Sequence, residues 1–135
     1  MNRINYQKEL DRVLEALPEG QVPTLFLHSC CAPCSSYVLE YLSRFFEITV
    51  FYYNPNISPE DAYRKRVKEQ QRLIRELPAV HPVHFREGEY RPSDFFAAVK
   101  GLEHIREGGE RCFACYELRL REAARLAAAG GYDYF

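Results

Sequence analysis

Leu25-Phe26-Leu27-His28-Ser29-Cys30-Cys31-Ala32-Pro33-Cys34 is the stretch on which the fold turns. An apolar run of strand length feeds straight into three thiols packed within five positions. Thr24 to His28 reads as a short buried strand, with the thiol loop directly after it. Arg111-Cys112-Phe113-Ala114-Cys115, far downstream, supplies the other two thiols, so two short segments hold all five cysteines.

Outward from that stretch, strands and helices alternate. Asn5 to Leu17 has the period of an amphipathic helix, with Leu10, Val13, Leu14 and Leu17 as its apolar stripe, and Pro18-Glu19-Gly20 ends it. Ser35 or Ser36 can cap a helix running to about Phe45, with Val38, Leu39 and Leu42 inward. Glu47 to Tyr53 is a second strand, rich in β-branched and aromatic residues. Asn54 to Pro59 is a loop by composition. Ser58 as N-cap and Pro59 at the first helical position open a long helix to Leu77, with Tyr63, Val67, Ile74 and Leu77 facing the core. Val80 to Phe85 is a third strand, Ser93 to about Leu102 a short helix, and Cys115 to Ala129 a strong Ala-rich helix closed by Gly130-Gly131. Tyr132 to Phe135 has the composition of a fourth strand. The alternation predicts an α/β fold: a parallel sheet with helices on both faces. Ligands in such sheets bind outside the carboxyl ends of the strands, which is where the first thiol cluster falls.

At 135 residues the expectation is a single domain spanning 1–135, with a core that needs no disulfide staples. A net charge of −1 argues neither for nor against a nucleic-acid partner, because a local basic patch can sit inside a balanced total. No apolar run approaches the roughly 18 residues of a membrane helix, and Met1 to Leu17 lacks a signal-peptide core, so no membrane partner and a cytoplasmic location are expected. Cytoplasmic thiols stay reduced, which favours metal ligation or catalysis over disulfides. The odd number, five, fits a disulfide framework poorly.

The thiols admit several chemistries. Cys31-Ala32-Pro33-Cys34 sits at a strand-to-helix turn, and Cys112 and Cys115 repeat the spacing before the last helix. Helix N-termini favour thiolate, the form that binds soft metals. Inert core cysteines would not all fall in two loops. Four thiolates suit zinc or an iron–sulfur cluster, and spacing alone does not separate them. The wide gap between the pairs is unlike a zinc ribbon. Cys31-Ala32-Pro33-Cys34 is also close to the thioredoxin-like redox signature, although that chemistry has no use for Cys30 or the second pair. An ATP-pyrophosphatase site is excluded because the loop after the first strand lacks glycine. A thioredoxin-like thiol–disulfide oxidoreductase and a zinc-stabilised RNA-binding module thus stand as alternatives to an iron–sulfur enzyme.

Three ordered motifs narrow the field: His28-Ser29-Cys30-Cys31-Ala32-Pro33-Cys34, then Phe51-Tyr52-Tyr53-Asn54-Pro55-Asn56-Ile57, then Arg111-Cys112-Phe113-Ala114-Cys115-Tyr116-Glu117-Leu118-Arg119-Leu120. Together they resemble the QueH-type epoxyqueuosine reductases over nearly the whole chain. The resemblance implies a Rossmann-like (HUP-type) fold. It implies an oxidoreductase that needs no cobalamin and reduces the epoxide of epoxyqueuosine in tRNA to queuosine. It also implies a [4Fe-4S] cluster on Cys30, Cys31, Cys112 and Cys115, with Cys34 ligating an additional iron or remaining a redox thiol. The family pattern continues past Phe135 toward a C-terminal cysteine pair, so the expectation is a domain truncated at its C-terminus.

Epoxide-to-alkene reduction needs electrons from an external donor, a redox metal centre and a proton source. His28, Tyr53 and Asp94 are proton-donor candidates by type, beside Cys34. Asn54 and Asn56 are able to bind substrate or simply to shape their turn, and Arg111 and Arg119 are further substrate-binding candidates. Arg64, Lys68, Gln71 and Arg75 recur at helical spacing as a face for tRNA phosphates, a pattern that solvated helices also show; Arg119, Arg121 and Arg125 add to the positive charge.

Overall fold

The computed structural model describes residues 3–135. Its elements in chain order are α1 (Tyr6–Glu15), β1 (Thr24–His28), α2 (Ala32–Leu42), β2 (Glu47–Tyr52), α3 (Glu60–Glu76), β3 (Val83–Glu87), α4 (Pro92–Ala98) and α5 (Glu110–Ala129). The strands form a parallel sheet in the order β1-β2-β3, with Phe26 opposite Thr49 and Thr49 opposite His84. The predicted α/β architecture is the observed one.

Residues two apart in a strand share a face, and the two faces carry different cores. Leu25, Ile48 and Val50 pack with Leu39 and Leu42 of α2, with Leu10 and Leu14 of α1 and with Leu73 and Ile74 of α3. Phe26, Phe51 and Tyr53 on the opposite face pack with Ala123 and Ala127 of α5. The alanines let α5 lie close against three aromatic rings. Phe26 and Phe51 stack with their centroids 4.9 Å apart. Helices therefore cover both faces.

The chain returns to β1 at its end. Phe26 N–H donates to the Tyr134 carbonyl at 2.9 Å, and Tyr134 N–H donates to the Thr24 carbonyl at 3.0 Å. This parallel bridge puts the predicted fourth strand on the free edge of β1. Chain progression runs one way from β1 to β3 and the other way from β1 to Tyr134. The carboxyl end of β1 thus borders a topological switch point, the usual ligand crevice of an open α/β sheet.

Several boundaries differ from expectation. The second helix starts at Ala32 with Cys31 at its N-cap, not at Ser35 or Ser36. Pro33 fits the first turn because a proline there forfeits no helical hydrogen bond. Ser35 turns inward instead, and Ser36 bonds back to the Pro33 carbonyl at 3.1 Å. Pro59, not Ser58, is the N-cap of α3; its carbonyl accepts from Ala62 and Tyr63. The third strand lies beyond Pro82, which cannot donate to a ladder, and covers Val83–Glu87 instead of Val80 to Phe85. Pro92 rather than Ser93 opens α4, which stops at Ala98, short of Leu102. The last helix starts at Glu110, so Cys112 and Cys115 lie on it, not ahead of it. Val13 and Val38, expected inward, are exposed.

Candidate metal centre

Three thiols meet at the carboxyl end of β1. The sulfurs of Cys30, Cys31 and Cys34 lie within 4.8 Å of one another, close enough to hold a metal ion. Cys30 and Cys31 Sγ are 3.9 Å apart. A tetrahedral metal with sulfur bonds of about 2.3 Å sets its sulfurs about 3.8 Å apart, so this pair matches a soft-metal site. Cys30 and Cys34 are exposed and Cys31 is half-buried, which leaves the trio open on one side.

The loop is held by its own carbonyls. Asn54 Nδ2 donates to the Ser29 carbonyl at 2.9 Å. The Tyr52 hydroxyl donates to that of Cys30 at 3.1 Å, and Ser35 Oγ donates to that of Cys31 at 3.0 Å. Behind them stands Gln70 of α3, fully buried. Its Oε1 accepts from Ser29 Oγ at 2.9 Å, and its Nε2 donates to Ser35 Oγ at 3.1 Å. One buried amide therefore ties both ends of the thiol loop. The motifs do not single out Gln70, Tyr52, Ser29 or Ser35 for this role. Gln70 carries a signal all the same, because it falls in the stripe of Tyr63, Val67 and Ile74 and is its one polar member.

The thiols differ electrostatically. Burial and the neighbouring Cys31 charge push Cys30 up. Partial burial opposes ionisation of Cys31, but hydrogen bonds from Cys34 and Cys30 and the charge of Arg66 outweigh it and bring Cys31 down. The hydrogen bond with Cys31 and that neighbour's charge push Cys34 up to about 11. Ionisation of one thiol therefore opposes ionisation of its neighbours.

The second cysteine pair sits on the first two turns of α5. Cys112 Sγ accepts from Gly108 N–H at 3.2 Å, while Cys115 is buried and burial raises its thiol. Neither belongs to the compact trio. Arg119, one turn beyond Cys115, donates Nη1 to Asn54 Oδ1 at 3.3 Å, and Asn54 holds Ser29. The two cysteine segments are thus linked through Asn54 at one end of the sheet.

A cleft of about 470 Å³ opens between α4 and α5 beside the second pair. Asn56, Phe96, Arg111, Cys112, Cys115 and Tyr116 line it. Among the described residues none partners Asn56 Oδ1, which is buried there. Asn54 is buried and spends its amide on Ser29 and Arg119, so it shapes the site. Arg111 Nη1 donates to the Glu103 carbonyl at 3.2 Å.

The proton-donor candidates are engaged in bonds of their own. His28 Nε2 lies 2.8 Å from the Tyr53 carbonyl. A carbonyl only accepts, so Nε2 carries the proton of a ring that burial keeps neutral. The Tyr53 hydroxyl donates to Asp94 at 2.9 Å, and burial together with that carboxylate raises its pKa well above the tyrosine range. Arg64 is spent on Glu87 at 2.7 Å. Arg66, outside every motif of the sequence, is the α3 cation whose charge reaches Cys31.

The sequence model of one family, described as "Epoxyqueuosine reductase QueH", matches residues 25–135. The chain belongs to the QueH family. Relatives of the same description are 40% identical in Streptococcus pyogenes serotype M1 and 41% identical in Staphylococcus epidermidis, each over 98% of this chain. A third, in Haemophilus influenzae, is 38% identical over 88% of the chain. This chain spans 53%, 58% and 47% of those QueH proteins, respectively. All five cysteines, Gln70 and Arg119 lie inside the segment matched to the QueH family. Among the described residues no helix is long and apolar enough to cross a membrane.

Proposed function

We propose that this chain carries the thiolate centre of an iron–sulfur reductase that converts epoxyqueuosine to queuosine in tRNA in the cytoplasm. The observation that carries the proposal is the position of the cysteines. The first cysteine segment borders the switch point of an open α/β sheet and the second is linked to it through Arg119 and Asn54, in a chain of the QueH family. In this reading Cys30, Cys31, Cys112 and Cys115 hold a [4Fe-4S] cluster, and Cys34 stays beside it as a redox thiol or a ligand to an additional iron. The donor set suits such a group, being all sulfur and half open to solvent.

The overall change breaks both C–O bonds of the epoxide and forms one C=C bond. It consumes two electrons from an external reductant and two protons, and it releases water. The chemistry such a group supplies when bound is electron delivery and polarisation of the epoxide oxygen. The chain's own residues orient and exclude. Asn56 and Arg111 line a cleft large enough for a modified nucleoside, with Phe96 and Tyr116 as exposed rings for a splayed base. Asn54 and Tyr52 fix the thiol loop. The Cys34 thiol, exposed and within 4.8 Å of the Cys30 and Cys31 sulfurs, is the proton carrier of the thiol loop. His28 and Tyr53, each committed to a partner, hold the end of β2 against β1 and α4.

The test is anaerobic incubation of the metal-loaded chain and a reductant with epoxyqueuosine-bearing tRNA, followed by nucleoside mass spectrometry. Loss of one oxygen that depends on Cys112 and Cys115 is the expected result. Intact epoxide with fully loaded, reduced protein would overturn the reading. Zinc binding with unaltered RNA would favour the zinc module instead.

A further inference from the structure

Arg119 is a buried cation without a carboxylate. It is 8% exposed. None of the ion pairs found among the described residues includes it. Its two hydrogen bonds go to neutral acceptors, the Cys115 carbonyl at 3.2 Å and Asn54 Oδ1 at 3.3 Å. A guanidinium has five N–H donors, so most of its capacity is unspent. Its Cζ lies over the Tyr116 ring, 5.3 Å from the centroid, which adds a modest attraction but no counter-charge. Removing an unpaired charge from water costs several kcal/mol, and side chains that do so ordinarily meet an anion.

Arg119 is tied to both cysteine segments. It sits one helical turn after Cys115, donates to that residue's carbonyl and lines the cleft beside the second pair. Asn54 fixes the guanidinium toward the thiol loop, since one amide grips both. Each of its bonds leads to a cysteine segment, so a thiolate-held group is the anion its position suits.

We propose that Arg119 is the fixed counter-charge of the thiolate-held group, strengthening metal binding there and raising the reduction potential of a bound redox centre. This rests on the thiolate-centre reading above. A fixed positive charge favours the reduced, more anionic state, so removing it lowers the potential. Arg119 is a positioning and tuning residue in this role, and no contact with substrate is required of it.

The test compares Arg119→Gln, which removes the charge, with Arg119→Lys, which keeps it. The first readout is Co²⁺ titration of the reduced protein, followed by the thiolate-to-cobalt absorption. Arg119→Gln should bind about 10-fold more weakly, or worse, with Arg119→Lys close to wild type. The second readout is the midpoint potential of the anaerobically loaded protein. Arg119→Gln should shift the oxidised-to-reduced ratio about tenfold toward oxidised, equal to about 59 mV for one electron. Equal Co²⁺ affinity in wild type and Arg119→Gln would overturn the proposal, as would a loss shared equally by Arg119→Lys. If wild type holds no redox group, the functional reading fails, while the Co²⁺ comparison still decides the role of Arg119.

Discussion

Replacing Gln70 with leucine should loosen the thiol loop from behind without touching a thiol. Leucine fills nearly the same volume, so the loss is polar. Ser29 Oγ loses its 2.9 Å acceptor and falls back on the Cys31 carbonyl at 3.4 Å. Ser35 Oγ loses its 3.1 Å donor and keeps its own bond to that carbonyl. Both serines are buried, so water cannot substitute. A buried polar group left unpaired costs about 1–3 kcal/mol, and two groups with partial fall-back bonds come to about 2–3 kcal/mol. For a chain of this size that is a fall in Tm of about 6–10 °C. Urea unfolding of the metal-free protein measures it. The companion variant Gln70→Leu with Ser29→Ala removes the orphaned hydroxyl, and the double change should cost about 1 kcal/mol less than the sum of the singles. A Gln70→Leu protein within about 0.5 kcal/mol of wild type, or strictly additive singles, would refute the claim that this amide holds the loop.

Other outcomes follow from single contacts. Gly88→Ala would place a Cβ 2.9 Å from Tyr53 Cβ and 3.0 Å from the Phe51 ring, so it should destabilise by about 1–3 kcal/mol, read by denaturation. The Glu122 carboxyl is held below its usual range, first by its hydrogen bonds from Arg125. A depressed carboxylate contributes stability above its unfolded pKa and loses it as pH falls through the folded value. Carboxyl NMR titration should find Glu122 below the ordinary glutamate range in wild type and higher in Arg125→Ala, and an unchanged value would refute the role of Arg125. Lys68→Ala, on the α3 face with the spacing for tRNA phosphates, should weaken RNA binding at every sequence tested and lower the salt slope by about 1, whereas an unchanged slope would remove Lys68 from the RNA-binding surface.

Much of the fold is legible in the amino-acid sequence. The apolar stretch from Leu25 to His28 announces a buried strand, and strand–helix alternation announces a parallel sheet. The boundaries that differ do so for local reasons. Serines compete with prolines for the starts of helices, and in α2, α3 and α4 a proline lies at or beside the start while the serine turns elsewhere. Gly108, in the left-handed region at φ +86, lets the chain break just ahead of α5, so the helix begins early enough to carry both downstream cysteines. The thiols themselves are plain from spacing. What supports them is not, because Gln70 reaches Ser35 across 35 positions and Asn54 reaches Arg119 across 65. Such contacts depend on how α3 and α5 are set against the sheet. Arg119 reads from the third motif as a substrate-binding candidate, and only the structure shows that it is buried while Arg121 and Arg125 are exposed and paired with glutamates.

The most direct measurement is anaerobic purification with iron, acid-labile sulfide and zinc counted in one sample beside its visible spectrum. The account predicts about four irons and four sulfides per chain, with the visible band, lost together in Cys112→Ala and Cys115→Ala. Stoichiometric zinc without sulfide in wild type, or a cluster that survives both substitutions, would contradict it.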